Sequence, residues 1–299
     1  MEIQKGKMMK QVMQMLSAVA GHAVATGAAL GVDAPAGDAP VFDMGVELSG
    51  STDYMDTGLT NSDHNPSGSI TLSPSYGIFY GTIYAATIDY GAPEPKIESK
   101  FAIGANPVFG DFSVDFNLAR RIKFDDPSAD RWLPYVTGTY TANDNFNASL
   151  GVGYYAYDDS ATADFWEFYA GSTMTMDSGA YFTSEFYREP DSDGANNAYY
   201  EAIGTVGIPF LEKFEAIGKF GYEGYEDKLN VPAETGYASY LWYEARLNYS
   251  FNDHVKVGVA YHGNNLGSGA DCVSQAYTDC DDSVFATVTL SGNMSDLSK

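Results

Sequence analysis

From residue 41 onward, apolar and polar side chains alternate in segments near ten residues long, and the connections between those segments alternate between tight and long. Phe112, Val114, Phe116 and Leu118 interleave with Ser113, Asp115, Asn117 and Ala119, while Leu241, Tyr243, Ala245, Leu247 and Tyr249 interleave with Trp242, Glu244, Arg246 and Asn248. Successive side chains of a strand point to opposite faces, so each segment reads as a strand with one apolar and one polar or small face. Fourteen such segments occur, at 41–53, 67–75, 79–88, 96–105, 111–121, 133–141, 146–157, 165–174, 180–188, 199–207, 213–222, 240–249, 255–261 and 283–291. Strands of soluble sheets usually have five or six residues. A tilted strand that crosses a bilayer needs roughly 9–11.

Turn-forming residues mark six tight connections, around Tyr76-Gly77, Asn106-Pro107, Asn143-Asp144, Asp177-Ser178, Ile208-Pro209 and Asn252-Asp253. The other seven, at 54–66, 89–95, 122–132, 158–164, 189–198, 223–239 and 262–282, are longer. An up-and-down antiparallel transmembrane β-barrel has this asymmetry, with short periplasmic turns and long extracellular loops. The first and last connections are both long, which puts both ends of the barrel on the short-turn side. A soluble sandwich or lipocalin-like barrel would bury its apolar face in an aliphatic core. Here the apolar face is thin and aromatic, and the opposite face carries Gly, Ser, Asn and charge, which suits a wet lumen.

Composition narrows the function. The 299 residues carry 16 Lys+Arg against 40 Asp+Glu, a formal net charge of -24, which excludes a nucleic-acid partner that needs a basic face. With 23 Tyr and 17 Phe the chain has ample material for packed structure despite its charge. Residues 1–36 differ from the rest. Lys5, Lys7 and Lys10 precede an Ala/Gly-rich apolar stretch, and Ala34-Pro35-Ala36 has the small-x-small form of a cleavage site. This segment reads as a secretory signal peptide, and 37–299 as a single barrel domain. Export implies an oxidising compartment, where Cys272 and Cys280, eight positions apart in an acidic loop, are expected to form a disulfide.

Several stretches of the mature chain resemble the TorF-type porins, also known as the Gcw_chp family. The opening Ser51-Thr52-Asp53-Tyr54 and Gly58-Leu59-Thr60-Asn61-Ser62-Asp63-His64-Asn65-Pro66 carry most of the likeness. It continues in Phe79-Tyr80, Ile88-Asp89-Tyr90-Gly91, Phe165-Trp166-Glu167-Phe168-Tyr169-Ala170-Gly171-Ser172, Ala198-Tyr199-Tyr200-Glu201 and Val284-Phe285-Ala286-Thr287-Val288. The resemblance implies a barrel in the outer membrane of a Gram-negative bacterium, in contact with outer-membrane lipid and inserted by the barrel assembly machinery. Two arginines that the family carries in the first loop are Met55 and Thr57 here. Segments 96–121 and 133–157 both look like the same family hairpin, which leaves twelve strands as the alternative count. Asn293-Met294 stands near the place where such barrels end on an aromatic residue.

Strand parity assigns a lumen face. It places Asp43, Glu47, Glu98, Asp115, Glu167, Glu185, Glu201, Glu215 and Glu244 inside, with Lys100, Lys219, Arg246 and Lys256. The expected function is passive diffusion of small hydrophilic solutes, favouring cations because acids exceed bases along the bore. The alternative is a plugged barrel with a structural or surface-binding role. No Asp-x-Asp-x-Asp-Gly loop marks a metal site, and no Gly-x-Ser-x-Gly motif marks a hydrolase. His64 and His262 fall in long loops that could meet, and His254 in a tight turn. No cofactor and no catalytic residue is expected.

Overall fold

Every period-two segment is a strand, and the strands close on themselves. The computed structural model describes residues 41–89, 96–124, 130–159, 163–191, 198–225, 239–266 and 280–298. Fourteen long strands run in chain order: β1 (Phe42–Ser51), β2 (Ser67–Tyr76), β3 (Phe79–Ile88), β4 (Lys96–Ala105), β5 (Phe112–Lys123), β6 (Arg131–Asn143) and β7 (Phe146–Tyr157), then β8 (Phe165–Thr175), β9 (Tyr181–Glu189), β10 (Tyr199–Phe210), β11 (Phe214–Tyr225), β12 (Tyr240–Asn252), β13 (Val255–Asn264) and β14 (Ser283–Asn293). Each pairs antiparallel with its chain neighbours. β1 also pairs with β14, from Gly45 opposite Asn293 to Ser51 opposite Thr287, so no sheet edge is left. Closure removes the unpaired backbone groups that an edge would present to a bilayer. The count is fourteen, and the twelve-strand alternative falls.

The two faces differ as the alternation requires. On β4 and β8, Phe101, Ile103, Trp166 and Phe168 are exposed, whereas Ala102, Phe165, Glu167 and Tyr169 between them are buried. The apolar set therefore faces outward and forms a belt around the barrel. Inside, large rings lie flat on the wall where the neighbouring strand offers glycine. A Cβ on Gly153 would come within 2.1 Å of Tyr135 Cδ2, and one on Gly221 within 2.2 Å of Trp242 Cε2. Neither ring could occupy its place beside a larger residue.

Two tight turns sit later than the sequence suggests, and proline is the reason in both. β4 stops at Ala105, and Val108–Phe109 then pairs back on β5, so the chain reverses at Gly110-Asp111 instead of Asn106-Pro107. Gly110 supplies the positive φ of 64°. β10 runs through Pro209, which stands opposite Glu215, and reverses at Leu211-Glu212-Lys213. Leu211 and Glu212 there take φ of 49° and 58°. Proline lacks the N–H donor and has a fixed φ, yet at a strand's end it can interrupt the ladder without turning the chain.

The barrel's two ends also differ. β14 finishes in a short 3-10 helix, Met294–Ser298, where Ser295 donates from its N and Oγ to the Asp43 carboxylate at 3.1 and 2.9 Å. Residues 1–36, read from the sequence as a signal peptide, and 37–40 lie outside the described residues.

Candidate functional site: the lumen and its inward loop

The long connection between β1 and β2, read from sequence as an external loop, folds back into the barrel. Met55–Asp56 and Leu59–Thr60 form a two-residue ladder around Thr57 and Gly58, whose φ values of 46° and 91° make the turn possible. The Gly58 carbonyl accepts from Asn264 Nδ2 at 2.6 Å, and Leu59 packs with Tyr240, Trp242 and Cys280. A Cβ on Gly58 would lie 2.6 Å from Trp242 Cβ. The loop therefore starts at β1 and rests on the inner wall at β12 and β13. Its Asp56 interacts electrostatically with Lys219 of β11, and Tyr54 hydrogen-bonds Tyr84 of β3. Such a segment narrows the bore.

A single carboxylate fastens it. Asp53 Oδ1 accepts from Thr60 Oγ1 at 2.8 Å and Ser62 Oγ at 3.1 Å. Asp53 Oδ2 accepts from Ser283 Oγ at 2.6 Å and lies 2.6 Å from His64 Nδ1. Burial alone would push the acid's pKa up. The bonds from Ser283, Thr60 and His64 outweigh that effect and hold it below the usual carboxylate range. The opening motif thus has a physical role: Asp53 is the anchor, Gly58 the turn, and Thr60, Ser62 and His64 the groups that meet the anchor.

The sequence-assigned charges lie on the face opposite the apolar belt, and most meet a partner there. Arg121 is ion-paired with Glu98. Arg246 Nε meets Glu244 Oε1 at 2.8 Å, and Glu244 Oε2 lies 3.1 Å from His262 Nδ1. Glu47 and Lys256 interact electrostatically, as do Lys219 and Glu244, and Lys100 and Glu167. Phenols meet the others. Tyr80 donates to Asp115 at 2.7 and 2.9 Å, Tyr155 to Glu167 at 3.1 Å, Tyr187 to Glu185 at 3.4 Å and Tyr181 to Glu215 at 3.4 Å. Glu201 is 1% exposed. Buried acids need such donors, because an unpaired buried carboxylate is costly.

Several lumen residues escape the sequence reading. Arg121 shares the parity of Asp115, six positions on, and the same alternation could have found it. Arg131 and Glu223 fall in stretches read as loops but belong to β6 and β11. His262 is in β13, not in a loop. It is 2% exposed and stacks on Trp242 with centroids 5.7 Å apart. His64 meets Asp53 instead of His262. Cys280 is buried against Leu59, Tyr240 and Trp242, whereas Cys272, its expected partner, lies outside the described residues.

No protein-family model matches the chain, and no curated protein matches it in sequence. Solved structures do match. The OmpF of Salmonella typhi, solved with daunomycin, aligns with a TM-score of 0.57 at 10% identity, over 85% of this chain and 97% of that one. A loop L8 deletion mutant of OmpT, an outer-membrane protein of Vibrio cholerae, aligns with a TM-score of 0.50 at 11% identity, over 85% and 100%. The fold is that of an outer-membrane β-barrel. At these identities the likeness concerns the path of the chain, and the lining residues are this protein's own.

Proposed function

We propose that the chain is an outer-membrane, porin-like channel for passive diffusion of small hydrophilic solutes, with a preference for cations. The observation that carries this reading is the segregation of faces: an apolar belt outside a closed barrel, and charged side chains inside it. The inward loop would set the narrowest part of the bore, with Asp56 and Tyr54 at its rim. The cation preference rests on acids exceeding bases in a low-dielectric wall.

The rest of the reading follows from the same assignment. Residues 1–36 would direct export in a Gram-negative bacterium, and the barrel assembly machinery would insert the barrel into outer-membrane lipid. The tight turns would face the periplasm, and a Cys272–Cys280 bridge would restrain the connection before β14. The opening motif, with Asp53 as its anchor, supports kinship with the TorF-type porins. The reading is tested by planar-bilayer recording of the refolded full chain. Discrete conductance steps are expected, and a barrel that gives none refutes the channel.

A further inference from the structure

The lumen is unequally wet along its length. Toward the tight-turn end, Thr71, Ser73, Ser149, Thr173, Thr183 and Thr289 on the lumen face are all half-buried, so water reaches the wall there. At the level of the inward loop the picture changes. Every residue from Thr57 to Ser62 is buried, although the segment belongs to no barrel strand. The wall behind it is dry as well, since Tyr240, Trp242, Glu244 and His262 are each at most 5% exposed. Across the bore, Tyr84, Glu98, Lys100 and Arg121 on β3–β5 remain half-buried. The passage left beside the loop therefore runs along that side.

The loop is shaped to move as one piece. It is tied to itself by Asn61 N to Tyr54 O at 2.6 Å and Asn65 N to Ser62 O at 2.8 Å. It leaves and rejoins the sheet at adjacent strands, because Ser51 of β1 stands opposite Ser67 of β2. Its bonds to the wall come largely from two flanking sites. Ser283 at the start of β14 donates to Asp53, and Asn264 at the end of β13 donates from Nδ2 to the carbonyls of Gly58 at 2.6 Å and Cys280 at 2.9 Å. Asp89 N, just past β3, adds one to Asn61 O at 2.8 Å. Against these stands backbone strain. Thr57, Asp63 and His64 have φ of 46°, 48° and 57°, a region that residues other than glycine disfavour and β-branched Thr57 most of all. Leaving the wall would relieve that strain and give up the clasps and the burial of Leu59. Opposed contributions of this kind produce two states.

We propose that residues 54–65 form a lid with two positions. Seated, as in this structure, the lid closes the β12–β13 side of the bore and leaves a narrow passage along β3–β5. Swung away about Ser51 and Ser67, it opens that level to the width of the water-reached half. Ser283 and Asn264, at the two ends of the connection between β13 and β14, are its latch. The inference rests on the channel reading and adds its regulation.

The test is planar-bilayer recording of the refolded full chain, of Ser283→Ala and of a deletion of residues 55–64. The deletion leaves five residues between Ser51 and Ser67, a length that closes a hairpin. The parent should step between a low and a high level, with the high level occupied about 0.1–10% of the time, the range of a minor conformer. The deletion should stay at the high level. Ser283→Ala should raise the ratio of high to low occupancy by about tenfold, the worth of a hydrogen bond to a charged group. Heat-modifiable gel migration reports whether each variant is folded. A single steady level in the parent, or a folded Ser283→Ala with an unchanged ratio, would overturn the lid. Should the deletion not fold, Ser283→Ala decides. A folded deletion that conducts at a steady parent's level would refute the lid and leave the channel standing, whereas a folded deletion that passes no current would refute both.

Discussion

Asp53 shows how one side chain can fasten a whole loop. It is 3% exposed, and its partners come from loop residues Thr60, Ser62 and His64 and from Ser283 at the start of β14. Hydrogen bonds to a charged group are worth about 1.5–3 kcal/mol each where the partner is buried. Asp53→Asn keeps the shape, removes the charge and puts an amide donor where one of the two oxygens accepts, beside either Ser283 or Thr60. The loop should then leave the wall, and unitary conductance in planar bilayers should rise and become noisier. The pH dependence has a definite sign. Folding makes this acid stronger, so the clip is fully present above the unfolded value near 3.9 and weakens as pH falls through the lower folded value. The unmodified channel should therefore change little between neutral pH and about pH 5 and should approach the variant's conductance only in stronger acid. A variant indistinguishable from the parent at neutral pH would show that the loop is held by Leu59 and Gly58 without the carboxylate.

The strands were legible because a closed sheet with lipid on one side and charge on the other must alternate at period two, and nothing else in the chain competes with that period. The sequence boundaries of β3, β4 and β7 coincide with those in the structure. The turns near Pro107 and Pro209 lie beyond the prolines: Pro107 interrupts the strand but pairing resumes at Val108, and Pro209 stays within the ladder opposite Glu215. The inward loop was not legible, since its anchor bonds a residue 230 positions away and no local pattern carries that information. His262 was misplaced for a related reason: the alternation of β13 continues past Tyr261 to Asn264, and polar residues at a strand's end look like loop. The proposed orientation of the barrel rests on its connections. An epitope inserted after Tyr225, between β11 and β12, should be accessible to antibody on intact cells, and one at Asp253, in the tight turn between β12 and β13, should become accessible only after permeabilisation. The reverse pattern would turn the barrel over.

Taken together, the lumen charges are mixed but unevenly spread. Lys100, Arg121 and Arg131 stand side by side on β4–β6, whereas Glu185, Glu201, Glu215, Glu223 and Glu244 line β9–β12. Parity within the observed strands adds Glu189 and Glu223 to the acids and Arg121, Lys123 and Arg131 to the bases, so acids still exceed bases. At physiological salt the Debye length is about 8 Å, so charges beyond the mouth are screened while those held in a low-dielectric wall are screened less. Selectivity should therefore come from the wall. Asp282 illustrates the contrast, because it accepts from Tyr261 and from Tyr243 at 3.4 Å, both on the outer face, and does not line the bore. In a salt gradient the reversal potential of the unmodified channel should lie on the cation side and shrink as salt rises. Glu167→Gln with Glu201→Gln should lower it, and Asp281→Asn with Asp282→Asn should change it less. Arg121→Gln with Arg131→Gln should raise it, because it removes the bases that offset the acids. An anion-side potential in the unmodified channel would mean that the basic row dominates the bore and that counting acids against bases is the wrong way to assign its selectivity. A larger effect from the Asp281 and Asp282 pair than from Glu167 and Glu201 would mean that ions are selected at the mouth, before they reach the inward loop.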